Sequence, residues 1–327
     1  MNYPCVTILI PIKNVAKYIK KCLDALLNQN YPKDKYEIWL LDNNSNDGTL
    51  EIVANYPKDK VRVIQTGIDS PAIKYNKMLP LVKSEIIGFV DGDANVDKEW
   101  LIKTIEQFED PKVAGASGVI YTANKNKLVP RIIGYELQDR YEKMPREIKR
   151  VATMHVVYQK KVLEEIGGFN EKLKTGYDCE IGYRINNAGH KIIFVPEAKV
   201  WHNHRENLWS YFKQQYEYGK FALIRYMQMP KMLKGDNISS RTMIVQPFFY
   251  LISFIVLILW SFYKFPWYWI FLPIILLFIY YIFSALRLSL KYKDPTAISA
   301  FILYLIRPIA GILGAISSLI SILFKSN

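Results

Sequence analysis

The sequence predicts an α/β domain built on a mostly parallel sheet and followed by a C-terminal α-helical membrane segment. Three observations carry that reading. Short β-rich apolar runs alternate with helical patterns in the first half of the chain, as in strands joined by crossover helices. Two of those runs end on an acidic residue, Asp42 and Asp91, at the strand ends where open α/β sheets bind ligands. Residues 244–324 are almost free of charge apart from a short basic connector, whereas residues 1–240 mix charged and apolar positions.

The elements follow in order. Val6-Thr7-Ile8-Leu9-Ile10 reads as a first strand, closed by Pro11. Apolar residues at 15, 16, 19, 22, 23, 26 and 27 give a helix from Val15 to Leu27, with Asn14 as its N-cap. Tyr36 to Leu41 is a second strand ending at Asp42, Thr49 to Ala54 opens a helix, and Val61 to Ile64 is a third strand. Residues 72–82 read as helix, and Glu85 to Val90 as a fourth strand that delivers Asp91. Val113 to Tyr121 and Ile192 to Val195 supply later strands. No G-x-G-x-x-G follows the first strand and no G-x-x-x-x-G-K-[ST] occurs, which argues against dinucleotide-binding and P-loop classes. Cys5, Cys22 and Cys179 form no C-x-x-C pair, so neither a disulfide framework nor a zinc site is expected, and a reducing compartment is favoured. The apolar run Cys5 to Ile12 is too short for a signal peptide, and lysines follow at 13, 17, 20 and 21.

Asp91-Gly92-Asp93 is the most informative stretch. Side chains at i and i+2 of an extended chain point the same way, so two carboxylates emerge together at a strand's carboxyl end. Paired hard oxygens suit Mg²⁺ or Mn²⁺, which can hold a diphosphate. The competing reading is a polar turn after a strand, and the rest of the chain weighs against it. The first strand ends Ile10-Pro11-Ile12-Lys13-Asn14, and the second ends Asp42-Asn43-Asn44-Ser45-Asn46-Asp47-Gly48-Thr49. Downstream come Gly176-Tyr177-Asp178-Cys179-Glu180 and Val200-Trp201-His202-Asn203-His204-Arg205.

This series, over about residues 4–220, resembles the family 2 glycosyltransferases with a GT-A (Rossmann-like) fold. The resemblance implies a nucleotide-sugar donor, a divalent metal (Mn²⁺ or Mg²⁺) and inversion at the anomeric carbon. It implies that Pro11, Asn14, Asp42, Asn44, Asn76, Asp91, Gly92, Asp93 and Arg205 bind the donor, with Asp42 at the nucleobase. Asp47-Gly48-Thr49 is expected to shape the turn into the next helix. Asp93, Asp91 and His202 are the implied metal ligands, with His204 competing for the last place. Asp178 matches the family's catalytic base. Tyr177 stands where the family usually has Glu, and Glu180 is the alternative base; both carboxylates also suit a helix N-terminus. Gln214-Gln215-Tyr216-Glu217-Tyr218 lies where relatives carry Q-x-x-R-W, with Glu for Arg and Tyr for Trp. Tyr177, Gln214, Gln215 and Tyr218 are the implied acceptor contacts.

A carboxylate base has a chemical consequence. A hydroxyl needs its proton removed as it attacks. A lipid phosphate is already ionised and needs no base. The acidic motif therefore favours a hydroxyl on a lipid-linked or cell-surface glycan, with a UDP-sugar as the favoured donor. Polyprenyl-phosphate glycosylation is the alternative, and an inactive nucleotide-sugar-binding scaffold is a third reading.

Ile244 to Phe262 and Pro266 to Leu286 are each long enough to span a bilayer. Ala297 to Phe324 is interrupted by Arg307-Pro308, so a kinked span or a re-entrant pair of half-helices is expected. Arg307 is costly in an apolar stretch, and either a lipid phosphate or snorkelling to the interface would satisfy it. Lys213, Lys220, Arg225, Lys231, Lys234 and Arg241 precede the first span, and Arg287, Lys291 and Lys293 lie between the second and third. The positive-inside rule then places the catalytic domain at the cytoplasmic side of a multi-pass cell-membrane protein. Aromatic residues interleaved with lysines over 209–226 read as helices on the membrane surface, where anionic lipid rather than nucleic acid is the expected partner. The expected organisation is a catalytic domain at 1–205, interfacial helices at 206–243 and a membrane region at 244–327.

Overall fold

Eight strands form one mixed, mostly parallel sheet in the order β3-β2-β1-β4-β7-β6-β8-β5. They are β1 (Val6–Ile12), β2 (Tyr36–Asp42), β3 (Val61–Gln65), β4 (Ile86–Val90), β5 (Ala94–Val96), β6 (Val113–Thr122), β7 (His155–Gln159) and β8 (Lys191–His202). The computed structural model describes residues 3–239, 241–264 and 266–324. Its contacts divide these residues into two units, 3–123 with 141–203, and 124–140 with 204–324.

The first unit holds the sheet. Strands β1, β2, β3 and β4 are parallel, with Ile12 beside Asp42 and Asp42 beside Gln65. Their carboxyl ends therefore share one edge. Strands buried on both faces read as continuous apolar runs, and β1 and β4 have that character. The helices of this unit are α1 (Ala16–Leu27), α2 (Thr49–Val53), α3 (Pro71–Met78), α4 (Trp100–Ile105), α6 (Lys160–Glu165) and α7 (Tyr177–Asn187). Ile8, Ile10, Ile19, Leu23, Leu26, Leu40 and Trp100 form one fully buried core. Burying each such aliphatic side chain contributes about 1.5–3 kcal/mol.

Asn14 does not cap α1. It adopts a left-handed conformation (φ 54°), and Val15 occupies the N-cap position. The free N–H groups there go to another loop: Val15 N donates to Thr49 Oγ1 at 2.9 Å and Ala16 N to Asp47 Oδ2 at 3.0 Å. The turn after β2 thus holds the start of the helix after β1.

The second unit is helical. It comprises α5 (Leu128–Tyr141, up to Arg140), α8 (Leu208–Gln228), α9 (Arg241–Tyr263), α10 (Tyr268–Tyr292), a turn at Pro295–Ser299 and α11 (Ala300–Phe324). Three helical segments, Arg241–Tyr263, Tyr268–Tyr292 and Pro295–Phe324, are long and apolar enough to cross a membrane, with mean hydropathies of 2.2, 2.3 and 1.8. Helix α8 packs along α11 through glycine: a Cβ on Gly314 would lie 2.1 Å from Tyr216 O, and one on Gly219 the same distance from Gly311 O. Small residues of this kind let helix backbones meet closely.

Two points left open by the sequence are narrowed here. Helix α11 runs unbroken through Pro308, so residues 300–324 are one helix and not two half-helices. Arg307 is paired within the protein: its guanidinium bonds Glu136 on α5 and donates to Tyr211 Oη at 3.2 Å. The same face of α5 presents Asp139, which takes a bidentate bond from Arg287 (3.1 and 2.6 Å) and one from Lys291 (2.7 Å). Residues 124–140, expected within the catalytic domain, therefore join the helical unit.

Candidate active site

The acidic pair stands where the register predicts. Asp91 follows β4 at the edge that also carries Asp42, and the chain turns at Gly92 into β5. A Cβ on Gly92 would lie 3.1 Å from Ile12 Cγ2 and 3.4 Å from Val15 Cγ2, so a larger residue would push the pair off the β1 end. Strand β5 runs antiparallel to β8 with Ala94 opposite His202. That pairing carries His202 across 109 positions of sequence to the acidic turn. His202 Nε2 lies 3.2 Å from Asp93 Oδ1. One ligand atom each from Asp91, Asp93 and His202 fall within 4.8 Å of one another. Asn203 Nδ2 donates to Asp93 O at 3.0 Å and fixes the backbone beneath the group.

Two carboxylates and an imidazole fit a hard or borderline divalent cation. Bonds of about 2.1 Å put opposite ligands about 4.2 Å apart, a spacing that small side-chain rotations reach from this arrangement. Of the two candidate histidines, His202 lies in this group. His204 belongs to the second unit, where its N–H and C=O both meet the Asn124 amide at 3.0 and 2.8 Å.

Asp42 is fully buried at the end of β2. Its carboxylate accepts from Ser45 N at 3.1 Å and Ser45 Oγ at 2.6 Å. Its backbone carbonyl takes Thr66 N and Oγ1. Asn44 turns the loop in a left-handed conformation (φ 53°). Asn14 locks the two loops together: its N–H donates to Ser45 Oγ and its Oδ1 accepts from Asn46 N, both at 2.9 Å. Pro11 pairs with Leu41 just inside the same edge. Sequence reasoning missed Lys74. It is 3 % exposed on α3 and donates to Leu41 O at 3.2 Å. Burial lowers its pKa, and Asp42 and Asp69 oppose that shift. A lysine on the buried side of a helix was the available signal.

Asn76 bonds the chain near Phe169. Its amide bonds both the N–H (2.7 Å) and the C=O (2.8 Å) of Phe169, and reaches Glu171 at 2.9 Å. It clamps the chain ahead of α7 to α3.

Helix α7 begins after Gly176, in a left-handed conformation, and puts Asp178 and Glu180 in its first turn. The two carboxylates are not equivalent. Glu180 is 6 % exposed and paired with Arg184 at 2.7 and 2.9 Å. Arg184 in turn binds the carbonyls of Ile166 and Gly168 at 2.6 Å. Asp178 is partly exposed, with one oxygen 2.8 Å from Cys179 N. Tyr177 packs its ring against Tyr75 and Phe169 and sets its hydroxyl 3.2 Å from Thr153 Oγ1. Arg205, Gln214, Gln215 and Tyr218 lie in the second unit, the last three on α8.

Beneath β6, His155 is 1 % exposed, with Nε2 2.8 Å from Gly118 O and 3.2 Å from Ser117 Oγ. Burial holds its pKa down at about 4, and His202 acts in the same direction.

Residues 4–216 match the family described as Glycosyltransferase like family 2. The chain belongs to that family. Among curated relatives, this glycosyltransferase is 26 % identical over 263 residues to glycosyltransferase AglE of Haloferax volcanii, covering 77 % of this chain and 82 % of that one. It is 30 % identical over 233 residues to the beta-monoglucosyldiacylglycerol synthase of Trichormus variabilis, covering 64 % of this chain but only 49 % of the synthase, about half its length. Among solved structures, the mannosyltransferase PcManGT of Pyrobaculum calidifontis, in complex with GDP-Man and Mn²⁺, superposes with a TM-score of 0.64 at 17 % identity, covering 98 % of this chain and 88 % of that one. The likeness establishes the GT-A fold.

Proposed function

We propose that this glycosyltransferase moves a sugar from a nucleotide-sugar donor, a UDP-sugar in the favoured reading, to a hydroxyl of a lipid-linked or cell-surface glycan. Transfer proceeds with inversion and depends on a divalent cation. The C-terminal helices anchor the enzyme in the cell membrane with the catalytic unit on the cytoplasmic side. The observation that supports this reading best is the convergence of Asp91, Asp93 and His202 at the carboxyl edge of the sheet. The lipid named in the Trichormus relative supports a membrane-borne acceptor, and the Mn²⁺ of the PcManGT complex supports the cation.

Asp91, Asp93 and His202 would hold Mn²⁺ or Mg²⁺. A bound divalent cation offsets the charge that develops on a leaving diphosphate. Asp42, with the Asn14 and Asn44 loops, forms the nucleoside side of the site. Asp178 takes the proton of the attacking hydroxyl, a role typically worth about 10²–10⁴-fold. Glu180 is unsuited to it because its charge is already spent on Arg184. Positioning donor and acceptor in line supplies much of the remaining acceleration.

The test is a panel of nucleotide sugars with Mn²⁺ or Mg²⁺ on the purified full-length protein. Product formation should vanish in EDTA and in Asp93→Ala, and fall at least about 10²-fold in Asp178→Asn. Transfer to plain polyprenyl phosphate by a fully active Asp178→Asn would replace this reading with the polyprenyl-phosphate one. Nucleotide-sugar binding without turnover under every condition would leave the scaffold reading.

A further inference from the structure

The segment between α8 and α9 does not follow the packing of its neighbours. A tight turn at Pro230–Lys234 anchors itself through Met232, which is buried, and leaves Leu233 46 % and Met227 70 % exposed. Arg225, Lys231, Lys234 and Arg241 flank these two apolar side chains in the sequence. Among the described residues, none of the four is paired with a carboxylate. Arg225 lies over the Tyr226 ring, and Arg241 Nε donates to Lys234 O at 3.0 Å. The one acid between 225 and 241 is Asp236, and it accepts from Ile238 N and Ser239 N at 2.8 and 2.6 Å within its own turn.

The Arg241–Lys234 bond also fixes a level. Arg241 is the first residue of α9, the first helix long and apolar enough to cross a membrane. Lys234 therefore sits beside the point where α9 starts, and Lys231 and Leu233 lie one turn away. Exposed apolar side chains thus have the exposed cations Lys231, Lys234 and Arg241 beside them in the sequence, none paired with a carboxylate among the described residues. At the start of a helix long and apolar enough to cross a membrane, that combination matches one partner: a bilayer whose headgroups carry phosphate and net negative charge.

We infer that the 225–241 turn docks on anionic lipid, with Lys231, Lys234 and Arg241 against headgroup phosphates and Met227 and Leu233 dipped between them. This rests on the membrane-anchored reading above and names the lipid class that the anchor selects. Each cation at such a surface contributes about a fivefold preference, which screening by salt removes.

The experiment uses full-length protein in an uncharged detergent. Energy transfer from its tryptophans reports binding of fluorescent phosphatidylglycerol against fluorescent phosphatidylcholine. Wild type should prefer phosphatidylglycerol by at least tenfold at low salt, with the preference falling steeply in 0.5 M NaCl. Lys231→Gln/Lys234→Gln/Arg241→Gln should abolish it while keeping its melting temperature. Leu233→Ser should weaken both lipids alike. Glycerol 3-phosphate, which carries the anion without the chain, should not compete at equal concentration. Equal binding of the two lipids by wild type, a preference that survives the triple substitution, or tighter capture of an RNA homopolymer than of phosphatidylglycerol would each overturn the assignment. Donor turnover with soluble substrates is measured in parallel. If it persists while the lipid preference fails, the docking surface is refuted and the catalytic reading stands.

Discussion

At the scale of single residues, the decisive contrast is between carboxylates of similar sequence context. Asp178 and Glu180 lie two positions apart, yet Arg184 consumes Glu180 and leaves Asp178 at the surface. The i,i+4 spacing of Glu180 and Arg184 on one helix was a readable signal of that pairing; what the sequence does not show is that the carbonyls of Ile166 and Gly168 hold the guanidinium in place. His155 makes a second point about burial. Its imidazole is neutral in the folded protein down to about pH 4, whereas in the unfolded chain it takes a proton near pH 6.5. Between those values the unfolded state binds the extra proton, so stability is complete above pH 6.5 and declines as the pH falls toward 4. The slope contributed is at most about 1.4 kcal/mol per pH unit. Melting curves of full-length protein from pH 7.5 to 5 should show a steeper loss than those of His155→Gln. Equal slopes would mean that the buried imidazole does not carry the effect.

At the scale of elements, six strands were legible because their apolar runs are continuous and closed by turn residues. The two that were not have physical reasons. Strand β5 is three residues long, too short for any period, and exists because β8 passes beside it. Strand β7 is flanked on both sides by antiparallel neighbours, β4 and β6, in a sheet whose alternation pointed to parallel pairing. Helix α5 escaped notice because its buried side carries Glu136 and Asp139 and so breaks the apolar stripe. The close packing of α8 on α11 yields a prediction at this scale. Gly314→Val would set a methyl group against Tyr216 O and force the helices apart. Overpacking of this kind costs about 1–3 kcal/mol. The variant's melting temperature in detergent should fall, and Gly311→Ala, where a Cβ meets open space, should be near neutral.

At the scale of the whole molecule, the sequence distinguishes the sheet from the membrane helices but not the exchange between them. The chain leaves the first unit after Ala123, contributes α5 to the helical unit, and returns at Tyr141. Ile132 packs in the apolar core of the helical unit, and ion pairs add to its hold on α5: Glu136 to Arg307, Asp139 to Arg287 and Lys291, and Asp294 to Arg131. The Glu136 and Arg307 side chains are 9 % and 15 % exposed. Removing one member of such a pair strands the other, at about 3–5 kcal/mol, whereas replacing both with apolar residues is far milder. Arg307→Leu should therefore destabilise the protein more than Arg307→Leu/Glu136→Leu, as read by thermal melts of the purified full-length chain. A double variant no more stable than the single one would mean that the pair does not secure α5.

That exchange has a consequence for biosynthesis. Asp139 precedes Arg287 by 148 residues, and Glu136 precedes Arg307 by 171. At translation rates of about 5–20 residues per second, α5 is made roughly 7–34 seconds before its basic partners. Through that interval its two carboxylates have water rather than their basic partners to satisfy them, until the long apolar helices that carry those partners are made.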